Sequence, residues 1–95
     1  MHFADTHCHL DFCQFDLSRE FLLSACHKAS IDLIIIPATK YDGWDNIIKL
    51  SQQYYQLRPA LGLHPYFLSE HLESDLDKLD SYLKHFASSI VAVGE

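Results

Sequence analysis

Apolar and polar positions alternate along this chain in blocks that change period. "HFADTHCHLDF", residues 2 to 12, runs from an apolar start into Asp5, His7, His9 and Asp11, each two residues apart. An extended strand alternates its faces with period two. As a strand over residues 3 to 7 continued outward, it would set those four polar groups on one face, and Thr6, Cys8 and Leu10 on the other. "DLSREFLLSACHKAS" follows with helical spacing of Phe21, Leu22, Ala25, Cys26 and Ala29, with Asp16 or Ser18 as candidate cap. "IDLIIIPA" is an unbroken, largely β-branched run, the pattern of a strand buried on both faces.

The alternation then repeats. A second helix is predicted at about 42 to 57, with Trp44, Ile47, Ile48, Tyr54 and Tyr55 on its apolar side and Asp42 as N-cap. "PALGLHP" reads as a short third strand stopped by Pro65. Leu76, Leu79, Leu83 and Phe86 stripe a third helix at about 74 to 87, where Ser74 and Asp77 have capping-box spacing. "SIVAVGE" is a fourth strand. The order β-α-β-α-β-α-β predicts an α/β fold: a parallel sheet with right-handed crossovers, strand order 1-2-3-4 and helices on one face.

In parallel sheets, functional groups gather at the carboxyl ends of the strands. His7 and His9 fall at that end of the first strand, His64 at that of the third and Glu95 at that of the fourth. The second strand ends in Pro37, Ala38 and Thr39, which do not titrate. His-x-His on a strand is either a pair of metal ligands, with Asp5 and Asp11 orienting the rings, or a polar edge facing water. Glu95 and His64 read equally as a strand-end glutamate in water and a turn histidine before proline.

Composition narrows this choice. The 95 residues hold 48% hydrophobic and 21% charged side chains, a globular balance adequate for one small domain. With 13 acidic against 7 basic residues the formal net charge is -6, and no Lys/Arg cluster forms a nucleic-acid-binding face. A phosphate backbone would therefore need metal ions to supply local positive charge. Seven histidines make a metal centre worth testing. Three cysteines without a CxxC pair suit a reducing cytosol, with Cys8, Cys13 and Cys26 read as small core residues. No signal peptide and no membrane span are expected. A small zinc module using His7, His9 and Cys13 is geometrically possible but lacks a clear fourth ligand.

"DTHCHLDF", "GLHPY" and "AVGE", in this order at successive strand ends, together resemble the TatD family of metal-dependent, deoxyribonuclease-like hydrolases. The family folds as an amidohydrolase-type TIM barrel, of about 250 residues in a typical barrel. The resemblance implies that residues 1–95 are the N-terminal part, about half, of one such barrel domain. It implies that His7, His9 and Glu95 ligate divalent metal (Zn, Mg or Mn), with Glu95 bridging two ions in a complete site. It assigns His64 to holding a phosphate or the attacking water. The implied activity is hydrolysis of DNA or another phosphoester by a two-metal-activated water, and the cysteine usage makes the cytoplasm the expected compartment. The family also uses two histidines after strands five and six and an aspartate after strand eight, so the catalytic set would be complete only with the C-terminal half. A non-catalytic truncated remnant is the alternative, and open sheet edges would favour self-association in either case.

Overall fold

The computed structural model describes residues 1–95. Four strands, β1 (Phe3–Asp5), β2 (Ile31–Pro37), β3 (Leu57–Leu61) and β4 (Ala92–Val93), alternate with helices α1 (Arg19–Lys28), α2 (Trp44–Gln53) and α3 (Ser74–His85). The strands lie in the order β1-β2-β3-β4, and all three pairs are parallel. They form a curled part of a barrel, as the βα alternation predicts.

One strand face packs against the helices. Ile34 and Ile36 of β2 and Leu57 and Leu61 of β3 share a core with Leu23 of α1 and with Trp44, Ile47, Ile48 and Leu50 of α2. Leu79, Tyr82 and Phe86 of α3 pack on the same cluster. The opposite face carries Ile35 paired with Arg58, then Pro37 paired with Ala60 and Ala60 with Ala92. Pro37, Ala60 and Ala92 are small, and they let the carboxyl ends of the strands draw together.

The helices begin and face differently from the sequence pattern. In α1 the buried positions are Arg19 and Leu23, while Phe21 is 75% exposed. Neither Asp16 nor Ser18 caps its backbone, because the Asp16 carboxylate accepts from the Arg19 guanidinium instead. Asp42 lies in a 3-10 turn (Tyr41–Gly43) that delays α2 to Trp44, so it does not act as N-cap. The Ser74–Asp77 capping box does not form. Glu73 is already helical, and Asp75, buried in the first turn, accepts the Leu72 N–H at 2.9 Å. Tyr55 and Leu76 point to solvent at 65% and 63% exposure, outside the core.

Tyr82 ties α3 to α2 by donating its hydroxyl to Asp45 at 2.7 Å. That bond, with burial, holds the phenol above its usual range. The strands are shorter than predicted because the chain curls at their carboxyl ends. β1 stops at Asp5 instead of residue 7, and β3 at Leu61 instead of Pro65.

Truncating a fully buried side chain should separate the core from Leu76, the one position of the predicted α3 stripe that points to solvent. Leu57→Ala is expected to cost about 2–5 kcal/mol, whereas Leu76→Ala should stay within about 0.5 kcal/mol. Urea unfolding followed by circular dichroism measures both; equal losses would place Leu76 in the core.

Candidate metal centre

Beyond β1 the backbone still runs beside β2, since the Cys8 N–H donates to the Ile35 carbonyl at 3.1 Å. Alternation therefore persists past the end of the strand. Cys8 and Leu10 turn into the core, while His7 and His9 turn to the carboxyl end of the sheet, their rings edge to face with centroids 5.1 Å apart. Phe12 stacks on His9 at 5.0 Å between centroids.

Glu95 meets them from the far side. Its Oε1 is 3.4 Å from His7 Nε2, and its Oε2 is 3.9 Å from His9 Nε2 and 3.4 Å from His64 Nε2. One ligand atom from each of His7, His9 and Glu95 falls within 4.8 Å of the others. Glu95 Oε2 is buried and has no hydrogen-bond partner. A carboxylate with one buried, orphaned oxygen, grouped with the imidazoles of His7 and His9, is a set of donors that a divalent cation satisfies. The residues present thus fit a metal ion.

His64 is held differently. Its Nδ1 accepts the Tyr66 N–H at 3.0 Å, and its own N–H donates to the Thr39 carbonyl at 2.7 Å. A neutral imidazole that accepts at Nδ1 carries its proton on Nε2. His64 therefore presents a donor toward Glu95, not a lone pair.

The two aspartates take separate positions. The Asp5 carboxylate accepts the backbone N–H of His7 at 3.0 Å and so shapes the turn instead of orienting a ring. Asp11 has one carboxylate oxygen buried without a partner, as is His9 Nδ1. Burial pushes the Asp11 carboxyl above its usual range, against a backbone hydrogen bond and the charges of His9 and Arg19. Cys13 lies exposed in a 3-10 turn (Cys13–Phe15) and outside the cluster; it is not a small core residue. Cys8 and Cys26 do pack against the core, and all three thiols are free.

Two residues that the sequence reading passed over position this centre. Arg19, only 6% exposed, donates to the carbonyls of Leu10, Asp11 and Phe12 at 2.9, 3.3 and 3.2 Å. It clamps the turn that follows His9. An arginine at the head of a helix reads as surface by type, although its position three residues before Leu22 sets it on the buried side. Gly62 is the other. A methyl group there would overlap the Glu95 carbonyl oxygen and lie 3.0 Å from the Gly94 carbonyl carbon. Only glycine allows β4 to deliver Glu95 at this distance from β3.

The fold and this cluster together define a parallel α/β-barrel segment with a candidate divalent-metal centre at the carboxyl ends of its strands. The TatD related DNase family matches residues 4–95, and the chain belongs to that family. It is 39% identical over 93 residues to the uncharacterized metal-dependent hydrolase YjjV of Escherichia coli, covering 98% of this chain and 36% of that protein. An uncharacterized metal-dependent hydrolase of Haemophilus influenzae is 33% identical over 98 residues, 100% of this chain and 37% of its own length. The human deoxyribonuclease TATDN3 is 29% identical over 99 residues, 97% and 36% respectively. The crystal structure of the Escherichia coli TatD homologue YjjV superposes with a TM-score of 0.91 at 39% identity, over 98% of this chain and 36% of that one. The chain thus spans a little over a third of the length of these relatives.

Gly62→Ala should drive β3 and β4 apart, costing about 1–3 kcal/mol and weakening metal binding about 10–100-fold by misplacing Glu95. Gly43, with nothing within 4 Å of an added Cβ, is the control; its alanine variant should stay within about 0.5 kcal/mol of the parent. Urea unfolding and calorimetric titration with Zn²⁺ read the two effects.

Proposed function

We propose that residues 1–95 are the metal-binding N-terminal part of a single TIM-barrel domain that hydrolyses phosphodiesters, with DNA as substrate. The observation that carries this reading is the convergence of His7, His9 and His64 on one carboxylate, Glu95. The family's description and the name of its human member support DNA.

In this reading His7, His9 and Glu95 would hold a divalent ion (Zn, Mg or Mn), and Glu95, whose two oxygens face different imidazoles, would also serve a second ion in the complete site. Such ions lower the pKa of a bound water and neutralise charge on the phosphoryl oxygens. His64 contributes the Nε2–H that its bond from Tyr66 enforces. That proton is a donor to a non-bridging phosphate oxygen or to the attacking water. Asp5 and Arg19 hold the backbone on either side of the two ligating histidines. Phe12 covers one face of the His9 ring and shields it from water.

The charge balance supports metal-mediated capture of an anion. Lys40, just beyond β2, is engaged by Glu70 at 2.9 Å, and the Arg19 guanidinium is buried against carbonyls and Asp16. Both cations are engaged by other groups of the chain. Three protein donors leave coordination positions for ligands from further strands of the barrel, which would complete the catalytic set. β1 and β4 stand at the two edges of the sheet. Unpaired edges of this kind favour self-association of the chain. No helix is long and apolar enough to cross a membrane, and three free thiols suit the cytoplasm.

The test is hydrolysis of bis(p-nitrophenyl) phosphate and of single-stranded DNA with Mg²⁺, Mn²⁺ or Zn²⁺. It compares the 95-residue chain with a polypeptide spanning the full length of the relatives. The short chain should show little turnover. The long one should lose metal binding with His7→Ala or Glu95→Ala. With His64→Ala it should keep the metal but lose on the order of 10²–10³ in kcat. Full activity in the Glu95→Ala protein would overturn the reading.

A further inference from the structure

His71 has no role in the sequence pattern, yet it touches the site. Its Nε2 lies 2.7 Å from the carbonyl oxygen of His64, and its Nδ1 is buried with no partner. A carbonyl only accepts, so Nε2 of His71 carries the proton and Nδ1 is left as a bare lone pair. Between the two histidines runs a 3-10 segment, Pro65–Glu70. The His64 carbonyl also accepts the Phe67 N–H at 3.0 Å, and the His71 N–H donates to the Leu68 carbonyl at 3.2 Å. His71 thus ties the exit of this segment back to its start.

That tie matters because of what the segment delivers. The Tyr66 N–H, inside it, sits 3.0 Å from His64 Nδ1 and decides which nitrogen of His64 bears the proton. Tyr66 is itself 82% exposed, so its side chain does little to anchor its backbone. Lys40 fastens the outer part of the segment through Glu70 and the Phe67 ring, and the bond from His71 is the side-chain contact that reaches the His64 backbone at the end of β3. We propose that His71 is a positioning residue for His64. By holding the His64 carbonyl it keeps the Tyr66 N–H on Nδ1, and so keeps His64 an Nε2–H donor. Released from that hold, His64 can move its proton to Nδ1 and offer an Nε2 lone pair. It would then compete as a metal ligand and no longer donate to a phosphate. The proposal rests on the reading of His64 as a donor and names the residue that makes it one.

The experiment uses the 95-residue chain labelled with ¹⁵N-histidine, whose ring nitrogens are read by long-range ¹H–¹⁵N correlation at a pH where histidine is neutral. The parent should show one His64 tautomer, protonated on Nε2. His71→Leu and His71→Met fill the space without a donor, and each should shift the His64 Nδ1 resonance toward the protonated value as a tautomer mixture appears. His71→Gln, whose amide can donate to the same carbonyl, should restore the single tautomer. An unchanged His64 pattern in a folded His71→Leu or His71→Met protein overturns the proposal alone. A parent His64 protonated on Nδ1 overturns the donor reading and the proposal with it. Loss of the dispersed amide spectrum in both apolar variants, without rescue by His71→Gln, makes His71 a folding residue and also overturns the proposal.

Discussion

The closeness of β3 and β4 is the constraint on which the centre depends. Glu95 follows a strand of only two residues, too short to hold a side chain in place by its own ladder. What holds it is the Gly94 N–H on the Leu61 carbonyl at 2.7 Å and the Val91 N–H on the Pro59 carbonyl at 3.0 Å. These bonds bring the Glu95 backbone so near Gly62 that no Cβ fits between them. Pro37 and Ala60 each lie 3.5 Å from where a Cβ on Gly94 would stand. The layer that meets there is built of small residues, so the sheet can tighten at this end without a clash. A larger side chain in this layer would push the carboxylate away from the imidazoles.

On the opposite flank the same problem is solved with charge instead of close packing. The turn after β1 has few ladder bonds, and the Arg19 guanidinium supplies a substitute by donating to three successive carbonyls. Burying that cation is tolerable because each contact is a charge-assisted hydrogen bond and Asp16 balances the charge at 2.9 Å. The cation is thereby spent on architecture. Lys40 is likewise committed to Glu70 and lies over the Phe67 ring, 5.0 Å from its centroid. The rim of the centre carries polar groups and aromatic rings, and its nearby cations are already paired. This is the electrostatic setting in which bound metal, more than lysine or arginine, would draw a phosphate.

Two of the site histidines differ by what their second nitrogen meets. His64 has its Nδ1 occupied by a backbone N–H, whereas His9 has a buried Nδ1 with no partner, near a buried unpartnered oxygen of Asp11. A histidine that ligates through Nε2 commonly donates Nδ1–H to a carboxylate. His9 and Asp11 have the complementary groups for that bond. The same side-chain type thus sits in two different hydrogen-bonding settings within one cluster, a backbone N–H on one ring and an unpartnered nitrogen on the other.

The fold was legible in the sequence because a period of two giving way to one of 3.6 is a local property, and four such changes leave few topologies. Parallel order and the gathering of His7, His9, His64 and Glu95 at one edge follow from that alternation. The two-faced burial read from "IDLIIIPA" holds only in part, since Ile34 and Ile36 are buried under the helices while Leu33 and Ile35 on the other face are half-buried. Helix starts and faces were less legible, since Asp16, Asp42 and Ser74 are cap-like by type but meet other partners or none. Arg19, Gly62 and His71 were not legible at all. Each acts through a contact whose other half lies elsewhere in space: loop carbonyls, the Glu95 backbone and the carbonyl of His64. A one-dimensional pattern records which residues can face a core or bind a metal. The distances between strand ends, and hence which backbone group each side chain meets, exist only once the sheet has curled.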